Sequence, residues 1–348
     1  MPVLRGTPSV RTPSKRVTAS LAGLAALALA CGGCATGTVA DQSANAPAPP
    51  TGSAEAADGP AYTPYVSATT ASDTDGAGSP DTYDLAFVVA DGGGCTPSWG
   101  GSAAADDAAV LARVAALTAS GADVRVSFGG AAGTELARAC GSARELADAY
   151  AEVLDAVGAD KADFDVEGST LTDEASVARR DRAIRLLQKS RDLDVTYTLP
   201  VMPAGLEASA LALLDDAVTE GVTLSAVNVM AMNYSESRTG DMGQYAQRAA
   251  RAAHTQLAKA LGLGSAEAWK ALHLTVMAGV NDVAGETFTL ADASALRTFA
   301  GERGVGALSL WATFRDRACA DTDTTGADDS CSGVEQEDGA FGEALGGE

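Results

Sequence analysis

The residues of this 348-residue chain best placed to do chemistry are four acids at fixed intervals, Asp160, Asp163, Asp165 and Glu167. Side chains alternate along an extended strand, so Asp163, Asp165 and Glu167 share one face while Phe164 and Val166 share the other. Successive acidic Cα atoms then stand about 6.5 Å apart. A charge run is ordinarily a solvated face, but an interior parallel strand has none. Acids crowded there repel one another and lose hydration, so at least one keeps its proton and the one at the tip is held protonated to an unusually high pH. A carboxylic acid still protonated near neutrality can protonate a leaving-group oxygen. Salt bridging by nearby arginines is the purely structural alternative.

Other chemistries are poorly provided for. Only two histidines occur, His254 and His273, and a Ser-His-Asp hydrolase or a His-rich metal site would consume one or both. The C-x2-C spacing of a zinc site occurs only at Cys31-Cys34. The expectation is therefore no metal and no cofactor. With 24 basic against 46 acidic residues the net charge is −22. Such a surface repels phosphate backbones and anionic lipid, which argues against a nucleic-acid partner. Apolar residues make up 46% of the chain, enough for one sizeable core.

The elements that must position the acids follow from periodicity. Short apolar runs at 83–90, 123–128, 162–167, 194–200, 226–232, 272–277 and 307–311 read as strands, with a further short strand at 62–67. Amphipathic stretches near 103–120, 142–157, 173–191, 207–221, 240–262 and 290–303 read as helices, and a last one near 334–346 closes the series. Repeated strand–helix alternation implies right-handed parallel crossovers. Eight such units over roughly 285 residues suit a single-domain (β/α)8 TIM barrel better than an open doubly wound sheet. The open sheet would begin a helix after its Gly-rich loop, and Gly92-Gly93-Gly94 is followed instead by Cys95 and Pro97. Between 67 and 83 there is too little sequence for a normal crossover helix, so the first unit reads as abbreviated. Chemistry in a barrel sits at the C-terminal ends of strands. There the chain places Ser127-Phe128-Gly129-Gly130, the acids, Met230-Ala231-Met232-Asn233-Tyr234 and Leu310-Trp311.

The amino terminus reads as an export signal over residues 1–30: a basic stretch from Arg5 to Arg16, an apolar run over 17–30, and the small-residue ending Ala28-Leu29-Ala30. The apolar run is too short for a comfortable membrane span. Cys31 and Cys34 follow at once, and Cys31, directly after the small-residue ending, is the candidate for a lipid anchor. Residues 31–60 read as a low-complexity linker or tether, and the barrel domain is expected over 61–348. Four cysteines remain, and in an exported chain they read as disulfides. Cys319 and Cys331 bracket a polar loop, leaving Cys95 with Cys140. The protein is expected to be secreted or held at the cell surface, and to be monomeric.

Asp160-x-x-Asp163-x-Asp165-x-Glu167 resembles the D-x-x-D-x-D-x-E signature of glycoside hydrolase family 18, the chitinases and endo-β-N-acetylglucosaminidases. Ser127-Phe128-Gly129-Gly130 is similar to that family's S-x-G-G, and Met232-Asn233-Tyr234 and Trp311 fall where it keeps a tyrosine and a tryptophan. The loop from Thr96 to Gly101 and the stretch from Val280 to Asp282 look like its compact actinobacterial chitinase-like branch. The resemblance covers roughly residues 61–346. It implies a TIM barrel and substrate-assisted retention, with the sugar's N-acetyl group as nucleophile. Glu167 would be the general acid and base, and Asp165 would orient the acetamido group. Asp163 would tune Asp165, Tyr234 would bind the acetamido oxygen and Trp311 would floor the −1 sugar. Asn233, Met232, Phe128 and Tyr65 are further candidate sugar contacts. Ser127 and the two glycines are expected to let the backbone pack closely behind the ladder. The substrate so implied is a β-1,4-linked N-acetylglucosamine polymer. An endo-β-N-acetylglucosaminidase acting on N-glycans and a catalytically silent sugar-binding protein are the alternatives.

Overall fold

A computed structural model describes residues 59–320 and 326–347. The export-signal and tether assignments over residues 1–58, with Cys31, lie outside the described residues. The described chain forms a (β/α)8 barrel. Its first stave is broken in two, β1 (Ala61–Tyr62) and β2 (Tyr65–Ser67). Then come β3 (Thr82–Ala90), the short mouth strands β4 (Pro97–Trp99) and β5 (Ala103–Ala104), α1 (Ala108–Thr118), β6 (Asp123–Gly129), α2 (Leu136–Ala139) and α3 (Ala143–Val157). The acidic stave is β7 (Lys161–Asp165), followed by α4 (Glu174–Gln188), β8 (Asp194–Pro200), α5 (Ala208–Glu220), β9 (Ala226–Met230), α6 (Met242–Ala260) and α7 (Ser265–Lys270). The chain ends with β10 (Leu272–Met277), the small hairpin β11 (Gly279–Val280) and β12 (Thr287–Phe288), α8 (Leu290–Arg303), β13 (Ala307–Trp311) and α9 (Ala340–Gly346).

The staves pair in parallel in the order β3, β6, β7, β8, β9, β10, β13. The broken stave closes the ring: β1 pairs with β13 and β2 pairs with β3, both parallel. The break at Thr63-Pro64 lets one short segment serve two neighbours. Thr63 N–H still donates to Leu308 O at 2.9 Å, and Pro64, which has no donor of its own, accepts from Asp84 N–H at 3.0 Å.

No helix follows the first stave. Turns over residues 68–81 replace it, and a polar knot holds them. Asp75 accepts from Ser72 N–H and Arg113 at 2.8 Å and from Thr313 Oγ1 at 2.6 Å, tying the abbreviated unit to the segment after the last stave. Other elements are shorter than periodicity suggests. The first helix starts at Ala108, because Asp107 caps it by accepting from Ala109 and Val110 N–H. The last helix spans only Ala340–Gly346.

The core lies between staves and helices. Phe128 and Phe164 are in register on neighbouring staves and stack at 5.4 Å, with Tyr150 of α3 against both. Full burial of each such side chain contributes about 1.5–3 kcal/mol. Two disulfides form, Cys95–Cys140 and Cys319–Cys331. The first joins the turn after β3 to the end of α2. It closes a loop with a sequence separation of 45, so its chief effect is to restrict the unfolded chain. Replacing Cys95 and Cys140 together by serine should lower the thermal midpoint by on the order of 5 °C, a loss of about 2–4 kcal/mol. Calorimetry of the variant beside the parent checks this, and unchanged midpoints would contradict it.

Candidate active site

The acids sit where the alternation argument puts them. Asp163 is almost fully buried and accepts three hydrogen bonds: from Ser127 Oγ at 2.6 Å, Thr198 Oγ1 at 2.7 Å and Tyr65 Oη at 3.1 Å. Asn228 extends this layer, its amide reaching Thr275 Oγ1 at 2.7 Å and Thr198 Oγ1 at 3.0 Å. Burial pushes the Asp163 carboxyl up, and the hydroxyl hydrogen bonds restrain that rise. Asp165 has no such relief. It is 4% exposed, and among the described residues its Oδ1 has no hydrogen-bond partner. Burial, then the charges of Glu167, Asp163 and Glu135, hold its carboxyl well above the usual carboxylate range. Glu167, past the end of β7, is partly exposed, and burial followed by the charge of Asp282 raises it too.

Asp165 and Glu167 open into a cavity of about 480 Å³ at the C-terminal end of the barrel, a size typical of small-ligand sites. One wall is aromatic: Trp311 stacks on Phe87 at 5.4 Å and 20°, and Tyr65 meets Trp311 edge-on at 5.7 Å. Another is apolar and flexible, from Met202, Met230 and Met232. Asn233 and Asp282 complete the rim. The S-x-G-G segment works from behind. Ser127 bonds Asp163, and Gly129, at φ +103°, approaches so closely that a Cβ would lie 2.2 Å from Asp165 O. At Gly130 a Cβ would strike the Phe87 ring at 2.8 Å. These positions therefore exclude a side chain.

Two candidate contacts are corrected. Phe128 does not face the cavity. It is 2% exposed and packs in the helix layer, because it shares the parity of Phe164 rather than that of Ser127 and Asp163. Tyr234 does not line the cavity either. Stave β9 ends at Met230, and Asn233 adopts the left-handed φ of +52°, so the chain turns away. The Tyr234 ring then packs against Tyr245, and its hydroxyl is buried without a partner among the described residues. Tyr65 lines the cavity with its ring, but its hydroxyl is spent on Asp163 and Thr198. Trp311, Met232 and Asn233 all line it.

Sequence reasoning missed Phe87, because a register shift between Leu85 and Val88 breaks the alternation of β3. It missed Thr198 and Thr275, which alternation along β8 and β10 could have found. Glu207, Asp282 and Asp329 come from loops and carry no periodic signal.

No family model matches the chain. It is 36% identical over 250 residues to a probable bifunctional chitinase/lysozyme of Escherichia coli (strain K12), covering 67% of this chain and 28% of that protein. It is 34% identical over 249 residues to endochitinase 11 of Metarhizium anisopliae, covering 67% and 47% respectively. The chain thus spans less than half the length of either relative. The solved catalytic domain of a hyperthermophilic chitinase from Pyrococcus furiosus superposes with a TM-score of 0.74 at 26% identity, covering 83% of this chain and 94% of that one.

Ionisation of Asp165 opposes the fold, since its folded carboxyl is raised. This contribution to stability is fully present below the unfolded value, near pH 4, and is lost as pH rises through the folded one. Asp165→Asn should therefore melt roughly 2–5 °C higher than the parent at pH 8, with a smaller gain at pH 5. Melting curves across pH check the sign; a variant less stable at pH 8 would reverse the assignment.

Proposed function

We propose that this chain, which belongs to glycoside hydrolase family 18, is a chitinase-type glycoside hydrolase that cuts β-1,4-linked N-acetylglucosamine polymers by substrate-assisted retention. The observation that carries the reading is the convergence of Asp165 and Glu167 with the Trp311–Phe87–Tyr65 platform on one cavity. The platform suits the apolar face of a pyranose. Glu167, its proton held by burial, donates to the glycosidic oxygen as the C–O bond breaks. The acetamido oxygen of the same sugar attacks the anomeric carbon, giving a cyclic oxazolinium ion, so no second carboxylate nucleophile is required. The unpartnered Oδ1 of Asp165 suits the acetamido N–H and the positive charge that develops there. Glu167, now a carboxylate, takes a proton from water as that water opens the ring. Asp163, with its hydroxyl partners, raises the proton affinity of Asp165 through its charge. The similarity to endochitinase 11 and to the Pyrococcus furiosus domain supports the substrate class. The basic and apolar pattern of residues 5–30 supports export from the cell, with Cys31 as the proposed lipid attachment point.

Glu167→Gln should lower turnover of soluble chito-oligosaccharides by about 10²–10⁴-fold while leaving their binding largely intact. Steady-state rates beside calorimetric titration separate the two, and near-parental turnover would sink the role. A high-mannose glycopeptide assayed in parallel should be left uncut.

Between β10 and α8 the chain inserts only the short β11–β12 hairpin, which adds little wall to the cleft. Cleavage should therefore be internal. On a soluble chitin derivative, viscosity should fall early with mixed oligomers; steady release of dimer at preserved viscosity would show a deeper, end-directed cleft.

A further inference from the structure

The loop after β10 contributes one more acid to the cavity, Asp282, for which the catalytic scheme above has no use. Its placement is built rather than incidental. Asn233 Nδ2 donates to Asp282 Oδ2 at 2.8 Å, and Asn233 Oδ1 accepts from Val283 N–H at 3.2 Å. One side chain, held in a left-handed turn, thus clamps the loop. On the loop's near side Asn281 is buried and donates to Met277 O and Gly279 O at 3.3 and 3.0 Å. On its far side the fully buried Glu286 accepts from Tyr234 and Ser235 N–H at 3.1 and 2.8 Å. Four hydrogen bonds therefore knit the β9 and β10 loops together, and both Asp282 and Glu167 line the cavity they border.

We propose that Asp282 is a positioning residue for the reaction: its carboxylate, fixed by Asn233 at the cavity rim, keeps the proton on Glu167 at the pH where cleavage occurs and holds Asn233 in place. Two features make its charge effective. The Glu167 carboxylate accepts no hydrogen bond from the described residues, so no donor among them favours its ionised form against burial and the charge of Asp282. The residues lining the main cavity include no lysine or arginine; Arg315, which feels the charge of Asp282 from behind the loop, is turned onto the Ala278 and Val280 carbonyls. The charged groups facing Glu167 are Asp165 on its own stave, Asp282 from the β10 loop, and Glu207 and Asp329 at the cavity edge. Glu135 and Arg138 face it across a smaller recess on its other side. Glu135 is tied up by the buried Arg180 at 2.6–2.7 Å, and Arg138 pairs with Asp173 at 3.2 Å. After burial, the charge of Asp282 raises the Glu167 carboxyl, and Glu167 in turn raises Asp165.

This rests on the catalytic reading of Glu167, so its test has an arm that needs no activity. Asp282→Asn removes the charge but keeps an oxygen that can accept from Asn233. In protein labelled with ¹³C at the glutamate side-chain carboxyls, and with the Glu167 signal assigned through Glu167→Gln, the Glu167 titration should move down by roughly half a pH unit or more. The basic limb of kcat/KM on chito-oligosaccharides should move down by the same amount, with KM nearly unchanged. Asp282→Ser should show the same displacement with an additional drop in kcat, because Asn233 loses its acceptor; it also replaces Asp282→Asn if that variant fails to fold. An unmoved Glu167 titration in a folded, uncharged variant overturns the proposal. A displaced titration in a protein inactive on chito-oligosaccharides would instead keep the Asp282–Glu167 coupling and refute the proposed substrate.

Discussion

The constraint on which the rest depends is that two carboxyl groups lie inside a barrel, almost wholly withdrawn from solvent. Asp163 and Asp165 are 1% and 4% exposed, one residue pair apart on the same face of β7. Ionised together there, they would be strongly destabilising. Asp163 is accommodated by three hydroxyls from three other staves, and Asn228 binds that layer into one network. Asp165 is left short of a partner, its proton retained by burial and by its neighbours. An apolar pair at these positions would fold at least as well. The unsatisfied acid is thus a local cost that the remaining barrel absorbs, and it leaves an acceptor free for a bound molecule.

The closure of the barrel and the building of the cavity are one problem. Trp311, Tyr65 and Phe87 lie on the last, first and second staves, which is the seam where the ring closes. The first unit has no helix to press this seam shut. Asp75 with Arg113 and Thr313 does so from the outside, and the three rings pack on each other from the inside. A broken first stave is therefore compatible with a firm aromatic wall. Gly129 and Gly130 serve the same end across the mouth, since side chains there would displace Asp165 or Phe87.

The rim shows a division of labour between acids. Glu286 and Asn281 are buried and serve the backbone of the loops, while Asp282 stands at the edge of the cavity. The segment after the last stave is fixed separately. Arg315 is fully buried and donates to Ala278 and Val280 carbonyls, and Asp316 accepts from Phe341 and Gly342 N–H at the start of α9. With the Cys319–Cys331 bridge, these contacts set the loop that brings Asp329 to the cavity.

What could be read from the sequence were the features carried by local periodicity. Alternation along 162–167 placed Asp163 and Asp165 inward and Phe164 outward, and the strand–helix repeat gave the barrel and its abbreviated first unit. The same rule, applied to Phe128, would have turned it toward the helices, since it shares the parity of Phe164. Tertiary structure decided what depends on breaks in periodicity or on distant loops meeting. The shift between Leu85 and Val88 sends Phe87 into the cavity, and the left-handed Asn233 takes Tyr234 out of it. Asp282 reaches the same cavity as Glu167 from more than a hundred residues away, because closing a ring of parallel staves gathers every loop at one mouth. Sequence spacing fixes which face of a strand a residue occupies; only the closed ring fixes which residues share a site.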